Sequence, residues 1–250
     1  MDKILNLPIL ASEGGADSDR LIIFLHWLMF ALFLGWLTYF LFTLFRFRQT
    51  ANAKADYHGV RSHFSNYVEL LVAGIEAVLL IVVAYPVWAR YTSGFPKESE
   101  STVIQVVGQQ FAWNARYPGP DAAFGKQDMV LVGQDNIFGV DSKDAKGKDD
   151  VQVLNELHVP VNKPVICYIS SKDVIHSFRI MAMRATQDAI PGMRVPIWFK
   201  PVKEGTFQIY CAQLCGNGHA AMAGGRLVVE SEEAYKKWLG AKSGGATSFE

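Results

Sequence analysis

Two long apolar stretches separated by a basic loop fill the first ninety residues, and a different pattern follows. Leu21 to Phe45 holds no charged residue, and His26 is its only side chain that ionises near neutrality. A helix of that length can cross a bilayer core of roughly 30 Å. His26, Trp27, Trp36 and Tyr39 read as interfacial or packing residues of this span. The second apolar stretch runs from about Tyr67 to Ala89 and is closed by Arg90. Arg46, Arg48, Lys54 and Arg61 lie between the two, against the single acid Asp56. Short basic loops stay on the cytoplasmic side, so both termini and the rest of the chain are expected on the opposite, periplasmic face. Residues 21–91 thus read as a transmembrane helical hairpin. Residues 1–20, with Pro8, Gly14, Gly15 and several aspartates, read as a short exposed arm. No basic segment precedes a short apolar stretch with a cleavage site, so no cleaved signal peptide is expected.

Residues 92–100 form a linker of proline, glycine and charges, and from Ser101 the pattern becomes one of short strands between turn residues. Val103–Trp113 reads as one long strand, Tyr117-Pro118-Gly119-Pro120 as a turn, and Met129–Val132 as a second strand. Asp141–Asp150 is a run of lysine and aspartate expected as a solvated loop. Val165–Ser170, Ser177–Met181, Val195–Phe199, Thr206–Tyr210 and Arg226–Glu230 supply further strands. Ser231 is placed to cap a helix reaching about Leu239, with Glu232 and Glu233 in its first turn. Residues 241–250, including Gly244, Gly245 and Ser248, read as a frayed tail. Residues 101–240 are therefore expected to form an all-β sandwich or Greek-key barrel with one late helix.

Composition narrows the class. Half of the 250 residues are hydrophobic and the formal net charge is zero. A strongly basic nucleic-acid binder is excluded. About 140 residues past Ser93 suffice for one domain with a real core. Three cysteines imply no disulfide framework.

The chemistry is concentrated in Tyr210-Cys211-Ala212-Gln213-Leu214-Cys215-Gly216-Asn217-Gly218-His219-Ala220-Ala221-Met222. Thiols and imidazole suit copper, zinc or iron–sulfur clusters, and the thioether favours copper. Cys211, Cys215 and His219 are four apart and would share one helix face. The β-branched and aromatic run Thr206–Tyr210 and the helix-weakening Gly216 and Gly218 instead favour a loop at a strand end. The plain alternative is a Cys211–Cys215 disulfide, which leaves His219 and Met222 unexplained. His158 reads as a surface or strand-end residue, and His58 and His63 lie in the basic loop. Cys167 reads as a small core residue. Met181, Met183 and Met193 read as packing residues.

The run Cys-x-x-x-Cys-x-x-x-His-x-x-Met resembles the binuclear copper (CuA) loop of cytochrome c oxidase subunit 2. That family takes another histidine from a segment like Asp173-Val174-Ile175-His176-Ser177-Phe178, and carries one like Asp188-Ala189-Ile190-Pro191-Gly192. The resemblance spans about Leu21 to Leu239. It implies a two-helix transmembrane hairpin followed by an all-β cupredoxin-like Greek-key barrel. It implies two copper ions bridged by Cys211 and Cys215. His219 and the Gln213 carbonyl would complete one ion, and His176 with Met222 the other. It implies an electron-accepting subunit of a respiratory oxidase in a bacterial inner membrane, with a mitochondrial one the lesser option. Its partners would be subunit 1, other oxidase subunits and a c-type cytochrome, either free or held in a larger respiratory assembly. The haem and the oxygen-reducing site belong to subunit 1, and no catalytic residue is expected in this chain. No Cys-x-x-Cys-His occurs, so no covalent haem is expected here.

Asn66-x-x-Glu69 matches the family segment whose glutamate sits at the mouth of a proton channel. Read without the resemblance, Glu69 is a snorkelling residue near the cytoplasmic end. Glu76 lies seven residues on, where the family usually has proline, and suggests a polar contact with a neighbouring subunit. Two further departures matter. The family's glutamate between the cysteines helps hold magnesium. Here the residue is Gln213, whose amide has no charge for a hard cation, which puts magnesium binding in question. The family's aromatic run usually reads Gly-His-Gln-Trp-x-Trp. Here Gly108-Gln109-Gln110-Phe111-Ala112-Trp113 makes Phe111 and Trp113 the electron-acceptance candidates. Rival readings are a quinol oxidase subunit, which typically lacks the ligands, a nitric-oxide or nitrous-oxide reductase subunit, and a membrane-tethered copper carrier.

Overall fold

A computed structural model of the chain describes residues 2–51, 54, 57–59 and 61–243. Asp56 and the tail residues Gly244, Gly245 and Ser248 lie outside the described residues. The chain divides into two compact units: Asp17–Ser93 with the residues up to Asn6, and Leu7–Ala16 with the chain from Gly94 onward.

In the first unit a short helix α1 (Asp2–Leu5) precedes α2 (Gly15–Arg46). The second long helix runs as α3 (Phe64–Val78), a π segment (Leu79–Ala84) and α4 (Tyr85–Ser93). Pro86 has no N–H and its ring crowds the carbonyl four residues back, so a wider turn just ahead of it relieves the clash. The two helices, of 32 and 30 residues, are long and apolar enough to cross a membrane. Each measures about 45 Å, more than a bilayer core of about 30 Å requires. Their apolar side chains face outward. That arrangement suits hydrocarbon, because the helical backbone bonds are satisfied internally. Both helices overrun their apolar stretches into charged residues. Asp17 of α2 meets Arg90 of α4 at 2.6 Å.

The second unit holds two five-stranded sheets. One has the order β3-β2-β1-β5-β8: β3 (Val151–Leu154), β2 (Ala112–Tyr117), β1 (Thr102–Gln109), β5 (Val165–Ser171) and β8 (Val195–Phe199). The other runs β4-β10-β9-β6-β7: β4 (Glu156–Pro160), β10 (Gly225–Glu230), β9 (Gly205–Cys211), β6 (His176–Ile180) and β7 (Ala185–Ala189). Alternate residues point into the shared core, as the two-residue period of strands requires. Ile104 and Val106 enter from β1, Cys167 and Ile169 from β5, and Leu227 and Val229 from β10. The expected all-β architecture is thus present as a β-sandwich. Helix α5 (Glu232–Ser243) closes it, and Ser231 Oγ accepts from the Ala234 N–H at 3.2 Å.

Several expectations need correction. Val103–Trp113 is not one strand but a hairpin, with Gln109 opposite Ala112 and Gln110-Phe111 at the bend. The bend carries no glycine, proline or asparagine, so local sequence did not announce it. Met129–Val132 is no strand: Met129–Leu131 form a 3-10 turn, because the Asp128 carboxylate captures the Val130 N–H at 2.9 Å. The arm is not wholly exposed. Ala11 and Ser12 are buried, and Ser12 Oγ donates to the Met183 carbonyl at 2.8 Å. The Ala11 N–H donates to the Ala182 carbonyl at 2.8 Å. The last helix continues past Leu239 to Ser243.

The Asp141–Asp150 run is solvated along much of its length but ends inside the protein. Asp150 is buried against Arg116 of β2, which receives no solvent at all. Arg116 Nε donates to Asp150 at 3.0 Å and Nη2 to the Gly125 carbonyl at 2.8 Å. Its Nη1 donates to Gln105 Oε1 at 3.2 Å. This fan of donors holds the long β2–β3 excursion against the sheet. Replacing Arg116 by methionine leaves Asp150 without its cation in a dry site. The expected loss is about 3–5 kcal/mol of unfolding free energy, and R116M/D150L is expected to regain most of it. Denaturant unfolding of the detergent-solubilised chain and its variants checks both.

Candidate metal centre

Strand pairing builds the site. β6 and β9 run antiparallel with Phe178 opposite Cys211. The alternation that buries Phe178 and Ile180 also buries His176, and the one that buries Ile209 also buries Cys211. Both end residues therefore sit on the core side at the same edge of the sheet. His176 comes so close to β1 that a Cβ on Gly108 would stand 3.0 Å from its ring. Only glycine leaves that space.

After Cys211 the chain leaves the ladder. Gly216 takes φ +135, a conformation that side chains rarely adopt, and turns the loop back. A 3-10 segment from His219 to Gly224 then returns His219 and Met222. Cys215 Sγ lies 3.4 Å from His219 Nδ1 and 3.4 Å from Met222 Sδ. Cys211 Sγ lies 3.9 Å from His176 Nδ1 and 3.0 Å from the Gln213 carbonyl oxygen. The fold brings all six sequence-predicted ligands together, and the strand-end loop, not a single helix, does so.

The two thiols are free and 3.9 Å apart. A disulfide needs about 2.04 Å. Two thiolates bound tetrahedrally to one ion at about 2.3 Å each would stand about 3.8 Å apart. Their separation fits joint ligation. The ligand atoms of His176, Cys211 and Cys215 lie within 4.8 Å of one another in a buried group that could hold a metal ion. Sulfur with imidazole is a soft donor set, the kind that copper takes. Burial, with the Cys211 thiol alongside, pushes the Cys215 thiol up to about 11. Without a metal this thiol keeps its proton at neutral pH, and binding must displace it.

Asp173 prepares His176. Its Oδ1 lies 2.8 Å from His176 Nε2. A carboxylate only accepts, so Nε2 carries the hydrogen and Nδ1 turns its lone pair toward Cys211. Partial burial works against the Asp173 carboxylate. Hydrogen bonds from Gln110, His176 and Val174 outweigh it and hold the acid below its usual range. Asp173 and Gln110 are the residues that pattern reading passed over. The available signal was a carboxylate three positions before a histidine.

The remaining candidates are not among these donor atoms. Phe111 is half-buried, its ring laid over Gly216 and Gly218. Trp113 is fully buried, edge-on to His176 at 6.0 Å and to Phe178 at 5.2 Å. It belongs to the packing behind the site and is not on the surface. Glu69 and Glu76 lie exposed on α3 in the helical unit, outside this cluster. His158 is buried, not superficial. Its ring nitrogens meet Glu230 at 2.8 Å and Glu156 at 2.7 Å, and the ring stacks on Trp238 of α5. Cys167 is a core residue whose thiol burial pushes up to about 12. Met183 is buried and Met193 exposed.

Gly218 has an ordinary φ of −93, so alanine is permitted by its backbone. Its Cβ would nevertheless collide with the Phe111 ring. Gly218→Ala is expected to cost about 1–3 kcal/mol by overpacking. Adding Phe111→Ala opens the space, so the double variant is expected to lose less to the glycine change than the single one. Unfolding midpoints of the four proteins check this.

The family profile described as cytochrome c oxidase subunit II, periplasmic domain, matches residues 102–231. An alternative cytochrome c oxidase subunit 2 of Bradyrhizobium diazoefficiens is 30% identical over 233 residues, covering 93% of this chain and 82% of that protein. A cytochrome c oxidase subunit 2 of Cereibacter sphaeroides is 30% identical over 228 residues, covering 72% and 75%. The crystal structure of the periplasmic domain of subunit II of a Bradyrhizobium japonicum cytochrome oxidase is 29% identical, with a TM-score of 0.43 over 60% of this chain and 96% of that one. The chain belongs to the cytochrome c oxidase subunit II family.

Proposed function

We propose that this chain is the copper-bearing, electron-accepting subunit of a respiratory cytochrome c oxidase. It takes electrons from a c-type cytochrome and delivers them to haem in subunit 1, where oxygen is reduced and protons are pumped. The observation that carries this reading is the meeting of six soft or neutral donors from two distant segments. Cys211 and Cys215 stand 3.9 Å apart between two imidazoles, one thioether and one carbonyl. Cys211, Cys215, His176, His219, Met222 and the Gln213 carbonyl would hold two copper ions. When bound, such a pair supplies a one-electron carrier with its charge shared between two metals.

The protein's own residues make that carrier stiff and dry. The two cysteines and Met222 are buried, and His176 is fully buried with Trp113 edge-on to its ring. A cage held this way changes little when charge arrives, which keeps reorganisation small. The donor set is filled by protein atoms, so the site suits electron transfer better than bond chemistry. The Gln213 side chain is exposed and uncharged, and magnesium is not part of the proposal. The apolar helices would anchor the domain on the periplasmic face of a bacterial inner membrane. Glu69 would lie beside a proton path in subunit 1.

Copper titration of the full chain tests the reading. Two coppers per chain and a delocalised mixed-valence spin signal are expected. One exchangeable copper would favour a copper carrier, and zinc preference would overturn the proposal. Electrons would enter at Phe111, with Trp113 behind it. Phe111→Ala in the assembled oxidase is expected to slow oxidation of the cytochrome about tenfold while copper content stays at two. Stopped-flow kinetics beside metal analysis checks this, and unchanged kinetics removes Phe111 from the path.

A further inference from the structure

The bend between β1 and β2 touches both halves of the metal centre through one residue. Gln110 Nε2 donates to the Cys215 carbonyl at 2.6 Å. The Gln110 main-chain N–H donates to Asp173 Oδ2 at 2.7 Å. The other oxygen of that carboxylate holds His176 Nε2 at 2.8 Å. A continuous chain of three hydrogen bonds thus runs from the Cys215 backbone, through Gln110 and Asp173, to the back of the His176 ring. We propose that Gln110 is a positioning residue that locks the cysteine loop to the histidine strand and so sets the spacing of the ligands.

Three features make this more than a surface bond. The two segments it joins are distant in sequence, and the pairing of β9 with β6 stops at the bond from the Ala212 N–H to the Ser177 carbonyl, short of Cys215, so no strand pairing holds Cys215 in register with His176. Gln110 supplies a bond from its side chain and another from its backbone, so the loop and the carboxylate cannot shift independently. Its neighbour Phe111 lies against Gly216 and Gly218, on either side of the loop's turn. The bend therefore bears on the loop by contact as well as by hydrogen bonds. Groups that orient a ligand from behind commonly change metal affinity or activity about 10–100-fold when removed.

The inference rests on the copper reading only for its functional consequence, so the test has a metal-free arm. Gln110→Glu keeps the length and the backbone N–H but turns a donor into an acceptor facing the Cys215 carbonyl. In the metal-free full chain, the loop is expected to loosen around the buried Cys215. Alkylation of Cys215, read by peptide mass mapping, should rise several-fold while the unfolding midpoint of the β-domain stays within a degree or two. In the copper-loaded chain, release to a chelator should quicken at least about tenfold, with a changed hyperfine pattern. Asp173→Asn should produce the same class of spectral change, and the double variant should show less than the sum of the two. Unchanged Cys215 alkylation and unchanged copper release in Gln110→Glu would overturn the inference. A wild-type chain that takes no copper, with the alkylation contrast intact, would sink the copper reading and uphold the lock.

Discussion

Everything at the candidate metal centre depends on two antiparallel strands, one beginning and one ending at the same edge, with the right faces turned inward. A strand presents alternate residues to opposite sides. On β6 the inward set is His176, Phe178 and Ile180, and on β9 it includes Ile209 and Cys211. Their pairing puts an imidazole and a thiol side by side at the rim of a hydrophobic core. A one-residue slip of either strand would turn its candidate ligand to the outer face. Register is secured by the core itself, since the same slip would expose Phe178 and Ile209. The apolar residues thus protect the geometry of the polar ones.

Polar groups taken out of water must find partners, and here those partners organise the loops. His176 is fully buried, and Asp173 answers its outer nitrogen. Arg116 is fully buried, and Asp150, Gln105 and the Gly125 carbonyl answer its guanidinium. His158 lies between Glu156 and Glu230 under Trp238. Tyr117 trades two hydrogen bonds with the His158 backbone, at 2.7 and 3.0 Å. Leaving any such group unpaired in the interior costs far more than the pair contributes on balance. These networks tie the long β2–β3 excursion and the last helix to the sandwich.

The helical unit obeys a different solvent. Its side chains are apolar and outward-facing, which is unfavourable in water and natural in lipid. The β unit follows ordinary aqueous rules, with an apolar interior and charged loops. One chain therefore carries two codes, and the change falls at Gly94. The N-terminal segment crosses that division: residues 7–16 belong with the sandwich although the long helix follows them at once.

Much of this was legible in the residues alone. The two apolar stretches and five of the ten described strands declare themselves through periodicity, and Cys211, Cys215, His219 and Met222 through donor type, whereas His176 and the Gln213 carbonyl were singled out only by the resemblance to the family. Hydrophobic burial and ligand chemistry are properties that each residue carries with it. Other features are not carried that way. The bend at Gln110-Phe111 has no turn residue, and its Gln110 is bonded to Asp173 and to the Cys215 carbonyl, partners far away in the chain. Met129–Leu131 looks like a strand until Asp128 takes its backbone N–H. Asp150 looks like a loop charge until Arg116 is found waiting beneath it. In each case the deciding partner is either a local side chain competing with the ladder or a group far away in the chain. Composition and period determined what could be buried and what could bind. Only the folded chain decided which polar groups meet, because a hydrogen bond depends on distance and direction between atoms that the sequence leaves far apart.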